Sequence, residues 1–258
     1  KMVEEMNIWL LKQKQSQGRK TTKATADACY ALLSTGNVNP NVEPLASIQL
    51  GEKTIDPRTD MDMKAEAGTG YFKTSFSGDA IKSGMQNITV NKEDEGVSWG
   101  AVYWQYFEDL DQIKQENQNP ISLTRQVLKK IDTDEGPVLV DFEGDDRVEV
   151  GGTYTVRIEL RTDRNMEFVH LKDMRAAAFE PQEQLSGVQT REGLYYYQSP
   201  TDLAMNFFFD YLPKGTFVFE YDMNATQVGE FSNGISQVQS MYAPEFTSHS
   251  AGKRVEVR

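Results

Sequence analysis

The strongest constraint on the fold comes from residues 206–246, where two runs rich in aromatic side chains flank a turn signal. The first run covers residues 207–212 and the second covers residues 216–222. Pro213, Lys214 and Gly215 lie between them, and proline and glycine mark turns. The runs have the composition of strands with a buried face. We therefore predict a β-hairpin whose aromatic side chains form a packed core.

The rest of the chain after residue 120 continues this pattern. Short apolar segments alternate with turn signals such as Gly151-Gly152 and Glu192-Gly193. About nine short strands at this spacing are typical of a β-sandwich. The predicted strands are 122–131, 138–142, 153–161, 168–174, 194–197, 205–211, 216–224, 234–241 and 254–257.

The first 36 residues have a helical period instead. A helix is predicted from residue 2 onward, residues 13–20 form a connection, and Thr21 or Thr22 can cap a second helix that ends at Gly36. Two helices cannot bury a core alone, so their apolar faces require partners. A polar linker over residues 37–44 follows.

After this linker, apolar and polar residues alternate with the two-residue period of a strand. A second polar, acidic linker covers residues 109–120. Four strands are predicted between the linkers: 46–50, 71–75, 86–91 and 97–107. Four strands make a thin sheet, which we expect to need strands from outside this chain. The fold class is therefore mainly β, with a short N-terminal helical hairpin.

Composition narrows the possible functions. The chain has 258 residues and a formal charge of −12, and its pI is about 4.7. Nucleic acid is a poor partner for such a chain, because phosphate binding needs clustered Lys and Arg. No apolar run approaches the length of a membrane-spanning helix. Because the chain begins at Lys1 and not at Met, we expect it to be the C-terminal part of a longer protein.

Residues that could carry chemistry are scarce. His170 is interpreted as a packed or half-buried strand histidine that shares a face with Phe168, His249 as a solvated residue of a polar tail, and Cys29 as a small buried side chain. The acidic clusters lack the spacing of a calcium loop, and no zinc or phosphate motif is present. We predict neither an enzyme nor a cofactor.

Three separated pieces of the chain resemble the bacterial alpha-2-macroglobulin-like proteins, specifically the large forms from Bacteroidetes-type bacteria. WLLKQK at residues 9–14 and TTKATADA at 21–28 look like the last helices of the thioester domain, an α/α toroid in that family. VSWGAVYWQYF at 97–107 looks like the closing strand of the CUB-type β domain. FVHLKD, YYYQ, LPKGT and MYAPEF, at residues 168–173, 195–198, 212–216 and 241–246, follow in the order expected of the terminal macroglobulin domain.

The resemblance implies a division into three parts. Residues 1–36 would be the last helices of a thioester-type α/α domain, 37–110 a partial CUB-like β domain, and 119–258 a C-terminal macroglobulin-like β-sandwich. The family traps endopeptidases: cleavage of a bait region triggers a rearrangement, and in some members a Cys–Gln thioester captures the protease. Neither the Cys-x-Glu-Gln motif nor a bait region is present here. Either these elements lie upstream or this member lacks the thioester.

The resemblance also implies a site and partners. Met241 and Tyr242 match the place from which an apolar cover over the thioester would come, and the alternative is that they only pack the sandwich edge before a turn at Pro244. The expected partners are target endopeptidases, through the full-length protein, and the upstream domains. The expected location is the bacterial cell envelope, in the periplasm or anchored to the outer membrane, with contact to the membrane only through an anchor outside this chain. A different class also fits, namely a non-inhibitory adhesion or envelope-scaffold module.

Overall fold

The computed structural model describes residues 2–16, 21–35, 46–60, 63, 71–93, 100–141, 148–191 and 193–258. The chain divides into two compact units. One contains residues 1–11 and 19–100, and the other contains residues 12–18 and 101–258. The predicted cap at Gly36 and the predicted linker at 37–44 lie outside the described residues. None of the helices that the structure describes is both long enough and apolar enough to span a bilayer.

The two predicted helices are present as α1 (Met2–Ser16) and α2 (Thr22–Thr35). Thr21 is the N-cap of α2, because its Oγ1 accepts a hydrogen bond of 3.1 Å from the backbone N–H of Ala24. The first helix continues to Ser16, beyond the point where the connection was predicted to begin. The prediction that Cys29 is buried is wrong, since it is exposed.

A small antiparallel sheet follows, in the order β2-β1-β3. Its strands are β1 (Ala46–Leu50), β2 (Lys53–Ile55) and β3 (Ile88–Lys92). The predicted strands at 46–50 and 86–91 are thus confirmed. Those at 71–75 and, for its described part, 97–107 are wrong, because residues 71–75 and 100–107 have no regular structure. A strand needs a hydrogen-bonded neighbour, and no described strand pairs with either segment.

The second unit contains most of the strands, and every predicted position there carries one. The strands are β4 (Ile121–Thr133), β5 (Gly136–Asp141), β6 (Thr153–Thr162), β7 (Met166–Met174), β8 (Phe179–Pro181), β9 (Gly187–Arg191), β10 (Leu194–Pro200), β11 (Ala204–Leu212), β12 (Gly215–Ala225), β13 (Gly229–Ser232), β14 (Ser236–Ser240), β15 (Thr247–His249) and β16 (Arg254–Val257). Sequence patterning missed four short ones, β8, β9, β13 and β15.

These strands form two principal antiparallel sheets and a small two-stranded one. The six-stranded sheet has the order β15-β14-β7-β11-β10-β9, and the five-stranded sheet has the order β5-β4-β6-β12-β8. The remaining pair is β13-β16. Buried side chains of the two larger sheets belong to one hydrophobic cluster. The predicted β-sandwich is therefore confirmed.

The predicted hairpin of residues 207–222 is wrong in its connectivity. β11 pairs with β10 and β7, whereas β12 pairs with β6 and β8, so the two aromatic strands lie in opposite sheets. The chain crosses from one sheet to the other through Pro213 and Lys214 alone. A three-residue hairpin would need Gly215 in the left-handed conformation, but Gly215 does not have a positive φ.

The packed aromatic core predicted for this stretch is confirmed, and the crossing explains how it forms. Phe207 and Phe209 on β11 meet Phe219 on β12 with ring-centroid distances of 5.4 Å in both pairs. Tyr196 on β10 meets the same ring edge-on at 5.3 Å. All four side chains are buried. Aromatic pairs in such tilted or edge-on arrangements add about 0.5–1.5 kcal/mol each beyond area burial.

Candidate functional site

The candidate site lies at the β14 side of the six-stranded sheet, in the loop of residues 241–246. This loop joins β14 to β15, which pair with each other at one end of the sheet. On its other side β14 pairs with β7, in a register that ends at Ser240 opposite Val169. Met241 and Tyr242 are therefore the first residues beyond a paired strand.

The loop is held by a tight turn. The backbone N–H of Phe246 donates to the carbonyl of Ala243 at 2.8 Å, which places Pro244 where proline favours a turn. The Pro244 carbonyl accepts hydrogen bonds from Gln239 Nε2 at 3.3 Å and Thr247 Oγ1 at 2.9 Å. Ala243 is buried. The far end of the loop is thus fixed while its beginning carries the candidate residues.

The side chains of Met241 and Tyr242 lie at the surface. They are 60% and 61% exposed, respectively, so neither fills the sandwich core. The Tyr242 ring packs edge-on against the ring of Phe168 of β7, at a centroid distance of 5.1 Å and an interplanar angle of 83°. Two adjacent, exposed apolar side chains on an anchored loop form a small surface that can cover another group.

Phe168 has an unusual backbone. Its φ is 56°, the left-handed region, which a bulky side chain occupies rarely and at a cost of about 1–3 kcal/mol. It lies where β7 changes face, because Met166 and Val169 are both buried while Glu167 and Phe168 both lie toward the surface. The backbone N–H of Met241 donates to the carbonyl of Phe168 at 2.9 Å. The strained residue therefore contacts the candidate loop through both backbone and ring.

Aromatic side chains continue across the outer face of the same sheet. The rings of His170 and Phe208 stack at 4.5 Å with an interplanar angle of 1°, and His170 Nε2 lies 3.0 Å from Asn206 Oδ1. The prediction of a half-buried strand histidine is confirmed. Tyr197 faces Phe208 in the register and is 45% exposed.

The five-stranded sheet carries charge instead. Arg157 Nε lies 2.5 Å from Glu220 Oε1 and Lys130 Nζ lies 2.6 Å from Asp222 Oδ2, with all four side chains partly exposed. Ion pairs of this kind suit a solvated face. The aromatic surface of the six-stranded sheet and the ion pairs of the five-stranded sheet therefore give the sandwich two different faces.

Beneath the aromatic face, a buried carboxylate joins the two sheets. Asp173 of β7 is 0% exposed and accepts hydrogen bonds from Arg125 Nε at 2.7 Å, from the Tyr221 hydroxyl at 2.5 Å and from the Ser236 hydroxyl. Burial, and next the charge of Asp173, raise the pKa of Tyr221 well above 10. The tyrosine thus stays a neutral hydrogen-bond donor, and the cluster fixes β7, which carries Phe168, to the opposite sheet.

The remaining sequence candidates do not assemble into a reactive centre in the described part of the chain. His249 lies in β15, partly buried, with Nε2 3.7 Å from Glu116 Oε2, so the prediction of a solvated tail is wrong. Across the described ranges, no three or more His, Cys, Asp or Glu side chains are grouped to hold a metal ion. One of the acidic clusters of the sequence, formed by Glu143, Asp145 and Asp146, lies outside those ranges.

The strands of the second unit form an antiparallel, two-layer β-sandwich with an aromatic core and an anchored edge loop, and this defines the fold class. Residues 121–245 match the family model of the bacterial alpha-2-macroglobulin MG10 domain. The resemblance to bacterial alpha-2-macroglobulins is thereby confirmed, while the Bacteroidetes type stays a prediction.

Solved structures from two organisms are similar to the chain. Salmonella alpha-2-macroglobulin reacted with methylamine is 18% identical over 56% of this chain and 9% of its own, with a TM-score of 0.44. Native Escherichia coli alpha-2-macroglobulin from domain MG7 to the C-terminus is 15% identical over 56% of this chain and 24% of its own, with a TM-score of 0.44. The E. coli protein activated by porcine elastase is 11% identical over 96% of this chain and 21% of its own, with a TM-score of 0.47. The chain thus spans 9% to 24% of the length of these proteins. No curated protein matches the sequence.

Proposed function

We propose that this chain is the C-terminal portion of a bacterial alpha-2-macroglobulin-like endopeptidase inhibitor of the cell envelope. The observation that carries the proposal is the match of residues 121–245 to the MG10 domain family. In this proposal residues 1–36 are the last helices of a thioester-type domain, 37–110 belong to a CUB-like domain and 119–258 form the terminal macroglobulin domain. Its partners are the upstream domains of the same protein and, through them, target endopeptidases.

Within that protein, the domain covers a thioester held by an upstream domain. A thioester survives only where water is kept from its carbonyl. The exposure of Met241 and Tyr242 supports this role, since side chains that served only the sandwich would be buried in it. The turn at Pro244 supports it as well, because an anchored loop presents the pair at a fixed height above the sheet.

The trapping function is tested on the full-length protein mixed with trypsin. A trap encloses the protease, so a large protein substrate should be protected while a small peptide is still cut. Equal cleavage of both substrates would refute the inhibitory function. A non-inhibitory adhesion or envelope-scaffold module would then be the remaining hypothesis. Trypsin without the full-length protein serves as the control, because it should cut both substrates.

The covering role is tested by Met241→Ala in the same full-length protein. Removing the side chain admits water to the thioester, so the thioester that reacts with methylamine should be lost faster in the variant. Leu185→Ala is the matched control, because Leu185 is also an exposed apolar residue, at 86% exposure. An unchanged rate of loss in Met241→Ala, with the fold intact, would refute the cover.

A further inference from the structure

We propose that Phe168 is the positioning residue of the Met241–Tyr242 pair, which it holds through its backbone carbonyl and through its ring. The inference rests on the proposed covering role of that pair. It adds a residue from a different strand, 73 positions before Met241 in the sequence, whose part in the site follows from geometry.

The backbone hold extends the pairing of β14 with β7 by one step. The register runs from Ser236 opposite Asp173 to Ser240 opposite Val169, so Met241 falls opposite Phe168. At this step the φ of Phe168 changes to 56°, and the bond from Met241 N–H to the Phe168 carbonyl persists at 2.9 Å. The left-handed conformation therefore lets β7 change face without releasing Met241.

The ring hold explains why a phenylalanine occupies this conformation. Glycine adopts a positive φ without strain, so the backbone geometry alone would be met better by glycine. Phenylalanine adds the edge-on contact with Tyr242 at 5.1 Å. Phe168 is 37% exposed, so its ring is incompletely buried and remains available to the loop.

Two substitutions separate the two holds. Phe168→Gly keeps the left-handed backbone and deletes the ring, whereas Phe168→Val keeps an apolar side chain but is branched at Cβ and disfavours a positive φ. Phe208→Gly is the matched control, because Phe208 has the same 37% exposure on the same face and stacks on His170 instead. These variants are made in the 258-residue chain.

The readout in all variants is hydrogen exchange at the Met241 amide; in the unaltered chain and in Phe208→Gly, a nuclear Overhauser contact between the rings of Phe168 and Tyr242 should also be present. Loss of one aromatic pair should speed exchange at Met241 by about 2- to 12-fold in Phe168→Gly. Phe168→Val should give a larger increase, because the carbonyl turns away. Phe208→Gly should leave the Met241 rate unchanged. Unchanged exchange in both Phe168 variants, or equal acceleration by Phe208→Gly, would overturn the proposal.

The lifetime of the methylamine-reactive thioester in the full-length protein separates this inference from the cover itself. If Phe168→Gly and Met241→Ala both shorten that lifetime, the positioning role and the cover are both supported. If neither does, or if no thioester forms, the cover is refuted and the exchange result still decides the role of Phe168. If Met241→Ala alone shortens it, the positioning role is overturned and the cover stands.

Discussion

Replacing Asp173 by asparagine should destabilise the sandwich more than any other single polar change described here. The carboxylate is 0% exposed and receives three hydrogen bonds, from Arg125, Tyr221 and Ser236. The side chain of Arg125 is itself only 5% exposed. Asparagine keeps the shape but removes the charge, so the guanidinium is left buried without its counter-ion. Breaking a buried pair in this way costs about 3–5 kcal/mol.

The assay is equilibrium unfolding in urea, followed by far-ultraviolet circular dichroism. For a slope of about 2 kcal/mol per M, a loss of about 4 kcal/mol lowers the midpoint by about 2 M with the slope unchanged. Asp222→Asn is the matched control, because Asp222 also pairs with a cation, Lys130 at 2.6 Å, but the two side chains are 24% and 29% exposed. A partly solvated pair is worth about 1 kcal/mol or less.

The reasoning is refuted if Asp173→Asn costs no more than Asp222→Asn. A second check uses Arg125→Met, because methionine removes the cation that Asp173→Asn leaves unpaired. The double variant Arg125→Met/Asp173→Asn should therefore cost less than the sum of the two single variants. A simple sum would show that the two side chains act independently, against the contact of 2.7 Å between them.

Two further changes test other parts of the sandwich. The pKa of Tyr221 is raised by burial, so from pH 10 upward the unfolded tyrosine ionises first and stability falls. Tyr221→Phe should make this fall between pH 9 and 11 shallower, as measured by urea midpoints, and parallel curves would contradict it. Gly234 has a φ of 64°, and a Cβ there would lie 2.7 Å from the Cβ of Met174. Gly234→Ala should therefore lower the free energy of unfolding by about 2–4 kcal/mol. Gly193→Ala is the control, because a Cβ at Gly193 meets no atom within 4 Å, and it should cost only about 1–2 kcal/mol of backbone strain. Equal losses in the two variants would show that the clash at Gly234 does not occur.

Sequence patterning located the strands of the sandwich well but not how they are joined. The strands at 207–212 and 216–222 are present because aromatic alternation is a local property. Whether they pair with each other depends on which rings they meet, which is a property of the whole core. Pro213-Lys214-Gly215 fits a hairpin and a crossing between sheets equally well, and the packing of Phe207 on Phe219 decides for the crossing.

The part of the chain before the sandwich shows the opposite limit. The segment at 97–107 has the composition of a strand, yet its described residues form none, and Phe107 is fully exposed. Composition reports that a segment suits a sheet, while pairing requires a neighbour. The prediction that Cys29 is buried failed because neighbouring side chains on a helix point in directions about 100° apart. Ala28 is the buried residue of α2, and Cys29 next to it is exposed.

The candidate site was half visible in the sequence. Met241, Tyr242 and the turn at Pro244 could be read from their motif. Phe168 could not, because nothing in the run from Glu167 to His170 signals a positive φ, which follows from the change of face between Met166 and Val169.

The crossing at Pro213 and Lys214 has a consequence for how the domain reaches its native state. Along the chain, groups of one to three strands in one large sheet are followed by strands of the other sheet, so neither sheet can be completed from a contiguous segment. Thr153 and Asn224, joined by a side-chain hydrogen bond, are 71 positions apart. Such long loop closures make folding slow compared with that of locally connected proteins. Because only two residues tie β11 to β12, we expect the two layers to condense together, with the rings of Phe207, Phe209 and Phe219 leaving water in the same step.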